Sequence, residues 1–272
     1  MTSFRDLHQP GNPFILANVW DAGSARMLAA MGAQALATSS AAHAFTLGRP
    51  DGLGVTRDEA LAHAQDIVAA TRLPVQGDFE NGWGDDPDTV AETVRLAAEV
   101  GLAGICIEDI ALPSPDAYDM DLATDRIRAA ASAARALPRD FVLTARADGI
   151  MTGAYDIEQA IQRLQAFEAA GADCLYAPLP KSMADVARIC SSVSAPVNVL
   201  VAGPTYTAQT RDAFARAGAA RLSLGSAMAR AAHRVIHDAA EAMLGRGDFS
   251  ALGTSISGDT VDGLLRHGTP PP

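Results

Sequence analysis

Eight short β-rich runs, introduced in strict alternation by proline and by glycine, constrain this chain more than any other feature. The runs are Phe14 to Ala17, Ala35 to Thr38, Val75 to Asp78, Gly104 to Ile107, Phe141 to Ala145, Cys174 to Tyr176, Val197 to Leu200 and Leu222 to Leu224. The odd runs follow Pro13, Pro74, Pro138 and Pro196, and the even runs follow Gly32, Gly101, Gly171 and Gly218. Glycine takes the left-handed conformation just past a helix, and proline cannot continue one, so each marks the turn from a helix into a strand. Segments of helical period lie between the runs, such as Asp88 to Val100 and Ile157 to Ala170. The alternation recurs at about 60 residues per pair of units, as a chain of repeated βαβα units would show. Its length of 272 residues, with 49% hydrophobic positions, suits one large core. We therefore expect an α/β fold, a (βα)8 TIM barrel, over residues 1–244. The rival is a doubly wound open sheet, which calls for a glycine-rich phosphate loop after the first strand. Here that turn reads Asn18-Val19-Trp20-Asp21, and the barrel is preferred.

A last helix is expected from about Ser226 to Leu244, followed by a C-terminal tail, residues 245–272, that ends in Pro270-Pro271-Pro272. A short apolar helix near Thr260 to Leu265 would either dock on a neighbouring subunit or cover the barrel wall.

A formal charge of -11 without a stripe of clustered Lys and Arg argues against nucleic acid as a partner. The start, MTSFRDLHQPGNPF, lacks the charged and apolar regions of a signal peptide, and no stretch reaches about 18 apolar residues. No membrane partner is expected, and the expected location is cytoplasmic. Cys106, Cys174 and Cys190 have neither the count nor the spacing of a disulfide framework or zinc site, which fits a reducing compartment.

Barrel enzymes work at the C-terminal ends of their strands, so the residues just after each run are diagnostic. The second run leads through Ser39 and Ser40 and a long loop to Asp51. The third ends in Asp78-Phe79-Glu80-Asn81-Gly82, the fourth in Glu108-Asp109 and the fifth in Arg146-Ala147-Asp148; the seventh and eighth contribute Asn198 and Ser223. In extended chain Asp78 and Glu80 face the same way, and Glu108 reaches the same volume. Converging carboxylates repel unless a cation joins them. An all-oxygen set without His or Cys points to Mg²⁺, with Mn²⁺ as the variant, and makes Asp78, Glu80, Glu108 and Asp51 the metal candidates. Some acids only cap helices, and Asp86 and Asp88 are assigned that role. Arg146 suits bidentate binding of a carboxylate or stabilisation of an enolate, against a plain salt bridge to Asp148 or Glu108. His43 could contact a carboxylate or be an ordinary loop histidine. Cys106 reads as a buried thiol, and Tyr118 as a loop acid or an exposed tyrosine.

Four segments in order, Gly48-Arg49-Pro50-Asp51-Gly52, Asp78 to Gly82, Ile107-Glu108-Asp109 and Thr144 to Asp148, resemble signatures of the isocitrate lyase and phosphoenolpyruvate mutase superfamily. The resemblance covers about Pro13 to Leu244. It implies a barrel whose eighth helix is exchanged between subunits, usually in a dimer of dimers, with Mg²⁺ held at Asp78, Glu80, Glu108 and Asp51. It also implies that Ser39, Ser40 and Ala41 form a substrate-carboxylate loop and that Arg146 is the substrate arginine. The lyases of that superfamily carry a Cys and a His on the loop after the fourth strand. Here Ile110 to Tyr118 has neither, nor the Lys and Asn of the phosphonomutases.

The expected function is a Mg²⁺-dependent carbon–carbon bond lyase for a small 2-oxo or 2-hydroxy dicarboxylic acid such as oxaloacetate. Arg146, Glu108 and Asp51 are the catalytic candidates; Ser39, Ser40, Ala41, Arg146, Asn198 and His43 are the substrate-binding ones. Two alternatives stand beside it: phosphonomutase-type transfer on a phosphoenolpyruvate-like substrate, and a non-catalytic binder of 2-oxo acids.

Overall fold

A computed structural model describes residues 3–52 and 54–270. Eight parallel strands close into a barrel in chain order: β1 (Phe14–Asn18), β2 (Ala35–Ala37), β3 (Val75–Asp78), β4 (Gly104–Glu108), β5 (Val142–Arg146), β6 (Cys174–Tyr176), β7 (Val197–Leu200) and β8 (Arg221–Ser223), with β8 pairing back onto β1. The expected strands agree with these to within one residue at each end, the usual uncertainty of a strand terminus. Gly32, Gly101, Gly171 and Gly218 all have φ between 91° and 104°, so the even-numbered strands are entered through the left-handed turns that their glycines predicted.

The helices start on local caps. Asp21 and Ser24 form a reciprocal capping box at Ala22–Ala30, and Thr56 and Glu59 form another at Arg57–Ala70. Asp86 caps Pro87–Glu99 by accepting the N–H of Asp88 at 2.7 Å, so the expectation of two caps is corrected to one: Asp88 supplies a donor from inside the first turn. The helices bury Ile67, Val94, Leu164 and Phe167 against the outer faces of Ile105, Ile107 and Leu175.

Inside the barrel the lower layer is apolar, with Phe4, Phe14, Leu16 and Val142 packed together. The layer above it is polar. Arg221, 1% exposed, donates to Asn198 Oδ1 at 2.8 Å, Gln76 Oε1 at 2.7 Å and Thr144 Oγ1 at 3.2 Å, and meets His8 Nε2 at 3.1 Å. This girdle ties β3, β5, β7 and β8 together directly beneath the mouth.

The helix after β8, Ala227–Arg246, buries only Ala229, Ala239 and Ala242. Val235, Ile236 and Leu244 are 61%, 64% and 87% exposed. In the tail, Gly258–Gly268 is helical and lies on Ala22–Ala30; Gly268 approaches so closely that a Cβ there would stand 1.9 Å from the Arg26 carbonyl oxygen. Of its two expected roles, this helix fills that of covering the barrel wall. Pro271 and Pro272 lie outside the described residues. No helix among the described residues is long and apolar enough to cross a membrane.

Candidate active site

A cavity of about 320 Å³ opens at the C-terminal ends of the strands. It brings together Ser39, Ser40, Ala41, Asp51, Asp78, Glu80, Glu108 and Arg146, which the sequence scatters over more than a hundred positions. The lining also has apolar side chains, among them Leu112, Met151, Leu179 and Leu200.

Asp78, the last residue of β3, is fixed from β2. Ser40 donates to its Oδ2 through both N–H (2.9 Å) and Oγ–H (2.8 Å), while the Asp78 N–H donates to Thr38 Oγ1 at 2.8 Å. Glu80 reaches the cavity by a route that the alternation of an extended strand does not describe. The strand ends at Asp78, and Glu80 adopts φ 45°, turning the chain so that its carbonyl accepts the Glu108 N–H at 2.8 Å. The expectation of a shared strand face is thus corrected: a left-handed turn, unusual for a non-glycine residue, delivers Glu80.

Arg146 stands among the carboxylates. Its Nη1 is 2.9 Å from Glu108 Oε1 and 3.8 Å from Asp78 Oδ1, and its Nε donates to Asp148 Oδ1. The salt bridges to Glu108 and Asp148 that the sequence offered as the plain role of Arg146 both exist, within the cavity lining itself. Burial, reinforced by Asp78 and then Asp51, pushes the Glu80 carboxyl up to about 7. Burial followed by Asp78 also raises Asp51, and burial raises Glu108 against the pull of Arg146. Carboxyls that hold their protons because they are buried and, after that, because of each other's charge are what a hard divalent cation relieves, and the donors are all oxygen, so the residues fit Mg²⁺. In this conformation they are spread around Arg146. Among the described residues, His237, Asp238 and Glu241 are the trio whose ligand atoms lie within 4.8 Å of one another; they stand on the outer face of Ala227–Arg246, away from the cavity.

Other sequence candidates lie elsewhere. Asn198 and Ser223 belong to the chamber beneath the cavity, where Asn198 donates to Ser223 Oγ at 2.8 Å and accepts from Arg221. His43 is buried behind Ser40, its ring stacked on His63 at 3.8 Å; burial, then His63, lowers it to about 4. Cys106 is buried and faces the same lower chamber. Tyr118 is not an exposed loop acid: its hydroxyl donates to Asp85 at 2.6 Å and accepts from Asn81 at 3.0 Å, and Arg126 lies over its ring.

Four supporting residues, Asp109, Arg126, Arg163 and Tyr176, were given no role by the sequence, although Asp109 stands at the end of its run. Asp109 accepts the Asp148 N–H at 2.8 Å, the Tyr155 hydroxyl at 2.8 Å and Arg163 Nη1 at 3.0 Å. Arg126 donates to the carbonyls of Glu108 (3.2 Å), Gly84 (2.8 Å) and Asn81. Tyr176 lines the cavity, with the Arg146 guanidinium 5.0 Å from its ring centroid. The two arginines had left a signal. Arg126 falls in the apolar phase Ala123, Ile127, Ala130, and Arg163 in the phase Ala160, Leu164, Phe167, where a charge demands a buried partner.

Residues 4–244 match the family model described as phosphoenolpyruvate phosphomutase. The 2-methylisocitrate lyase of Escherichia coli K12 is 31% identical, covering 84% of this chain and 84% of its own length. The oxaloacetate decarboxylase of Paraburkholderia xenovorans LB400 is also 31% identical, covering 72% of this chain and 68% of its own. Among solved structures, a Burkholderia cenocepacia J2315 protein proposed to be a lyase or mutase superposes with a TM-score of 0.91 at 45% identity, covering 96% of this chain and 93% of that one.

Proposed function

Since the chain belongs to the phosphoenolpyruvate phosphomutase family, we propose that it is a Mg²⁺-dependent lyase that cleaves a carbon–carbon bond in a small 2-oxo or 2-hydroxy dicarboxylic acid. Oxaloacetate is the simplest substrate of this shape. The observation that carries the reading is the set of carboxylates Asp51, Asp78, Glu80 and Glu108 together with Arg146 on the lining of a single cavity. Those four residues would hold the cation, which when bound polarises the C2 oxygen of a 2-oxo acid.

The rest falls to the chain itself. Arg146 presents a planar fork to a carboxylate or to the enolate oxygen that develops as the C3–C4 bond breaks and CO₂ leaves with C4. Ser40 orients Asp78 with both its N–H and its hydroxyl, which leaves Ser39 and Ala41 of the same loop to offer polar hydrogens to a second carboxylate. The apolar wall of Leu179 and Leu200 limits water near C3. Phosphoryl transfer is the weaker reading because Ile110 to Tyr118 has neither Lys nor Asn and the second cation of the cavity lining, Arg230, stands at the rim.

The same reading extends to assembly. The exposed apolar positions of Ala227–Arg246 favour exchange of this helix with a second copy in a dimer of dimers. The unpaired thiols Cys106, Cys174 and Cys190 favour the cytoplasm.

The test is a screen of 2-oxo and 2-hydroxy acids with Mg²⁺, with Mn²⁺ and with EDTA, read by product detection. Pyruvate and CO₂ from oxaloacetate, lost in EDTA and in Asp78→Ala, are the expected result. Full turnover in EDTA would remove the metal assignment, and no binding of any 2-oxo acid in Mg²⁺ would remove the substrate class.

A further inference from the structure

Four tyrosines occur in this protein, and three have their hydroxyls tied. Tyr118 is held by Asp85 and Asn81, Tyr155 by Asp109 and the Gly149 N–H, and Tyr206 by the Pro180 carbonyl. The hydroxyl of the fourth, Tyr176, has no hydrogen-bond partner among the described residues, although the residue is only 6% exposed. Nor is that oxygen sealed into the core. Among the described residues, the buried side-chain polar atoms lacking partners are Arg26 Nε and Arg126 Nε, so the phenol oxygen opens onto the space its residue borders. That space is the active-site cavity and the small chamber directly under it. A tyrosine this buried normally pairs its hydroxyl, and one left open at a cavity of acids has a ligand atom as its natural partner.

We infer that Tyr176 is the general acid of this site, donating its phenolic proton to C3 of the enolate that carbon–carbon cleavage leaves behind. The inference rests on the lyase reading above. The balance is simple. The C3–C4 bond breaks, CO₂ departs, and the electron pair stays on the C2–C3 enolate. That pair forms a new C3–H bond with the Tyr176 proton, giving the 2-oxo acid and a phenolate, which regains its proton from water before the next turnover.

Two features suit Tyr176 to the task. Register places it beside Arg146 across β5 and β6, with the guanidinium 5.0 Å from the ring centroid, so the transient phenolate forms next to a fixed cation. Burial, its largest influence, holds the phenol well above its ordinary value in the resting state, so it enters each cycle protonated. The loop after β4, where the lyases of the superfamily carry a cysteine, brings Leu112 to the cavity and no acid.

Tyr176→Phe keeps the ring and its contact with Arg146 and removes only the hydroxyl. In D₂O with Mg²⁺, the wild-type protein should exchange the methyl protons of pyruvate, observed by NMR, through the same enolate run in reverse. The variant should exchange about 10²-fold more slowly or worse, the usual contribution of a positioned acid or base. Undiminished exchange by Tyr176→Phe would overturn the inference while leaving the lyase reading in place. A second measurement needs no variant: decarboxylation of 3-methyloxaloacetate in D₂O should give 2-oxobutyrate deuterated at C3 with one configuration, and racemic product would equally overturn it. A wild-type protein that converts no 2-oxo acid at all would fail the lyase reading instead.

Discussion

Glu108 and Arg146 are Cα partners in the β4–β5 ladder, and their side chains meet at 2.9 Å above it. The pairing fixes one edge of the guanidinium, and Asp148, two residues further along the chain, takes the Nε edge. The orientation of Arg146 is therefore set by strand register and not by the substrate, which is what a preorganised anion site requires.

Arg146→Lys should reduce kcat/KM by roughly 10²-fold, because an ammonium can satisfy only one of these edges and offers no planar fork to a ligand. Steady-state kinetics on the best substrate of the screen decide this. Unaltered kinetics would place Arg146 outside the site.

Asp109 supports the same arginine at one remove, since its Oδ1 holds the backbone N–H of Asp148. Its other oxygen accepts Tyr155 and Arg163, so Asp109→Asn strands a buried guanidinium. The expected cost is about 3–5 kcal/mol of stability, with activity of the surviving folded fraction also reduced. Denaturant melts check the first part, and a melt within about 1 kcal/mol of wild type would show that the network relaxes around the amide.

The barrel was legible because its signals are local. A helix end followed by a strand needs a glycine or proline whatever the rest of the chain does, and Gly32, Gly101, Gly171 and Gly218 report that need directly. Asp78, Glu108 and Arg146 were legible because a barrel assigns function to strand ends. Glu80 arrived by a turn that strand alternation does not encode. Tyr118 was misread because its partners, Asp85, Asn81 and Arg126, come from other segments brought against it only by folding. His43 and His63 likewise stack across two helices, Ser40–Thr46 and Arg57–Ala70. Tyr176 reads as an ordinary strand aromatic, and only the inventory of hydroxyl partners sets it apart.

His8 predicts how the fold fails in acid. It is buried against Arg221, and burial first and Arg221 second lower it from 6.5 to about 3. Its Nδ1 contacts the Phe4 carbonyl at 2.9 Å, so the neutral ring donates there and its Nε2 accepts from Arg221. Below pH 6.5 the unfolded chain takes up a proton that the folded chain refuses. The stabilisation from His8 is therefore complete above about 6.5 and is lost as the pH falls toward 3, at up to about 1.4 kcal/mol per pH unit. His8→Asn should flatten this acid limb in urea melts taken across that range. An unchanged slope would assign the acid sensitivity to other groups.

The segment from Ile110 to Tyr118 decides which carbon skeletons can be cleaved. It is a tight turn: Ile110 and Ala117 form an antiparallel bridge, the Ala111 N–H donates to the Asp116 carbonyl at 2.9 Å, and the Tyr118 N–H returns to the Asp109 carbonyl at 2.8 Å. Of its side chains Leu112 lines the cavity, while Ser114 is spent on Asp116 at 2.6 Å and Tyr118 on Asp85. No acid on this turn can protonate the carbanion that a cleaved isocitrate would present from the loop side. A donor on β6 serves a short enolate seated deep in the cavity but stands two strands round the barrel from β4, which this turn follows. We therefore expect little or no glyoxylate from isocitrate and little or no pyruvate from 2-methylisocitrate, together with clear turnover or binding of oxaloacetate-like acids. Coupled assays for glyoxylate and pyruvate with Mg²⁺ present check this directly. Robust succinate and glyoxylate from isocitrate would mean that a group outside the turn completes the lyase chemistry, and the distinction drawn from residues 110–118 would fall.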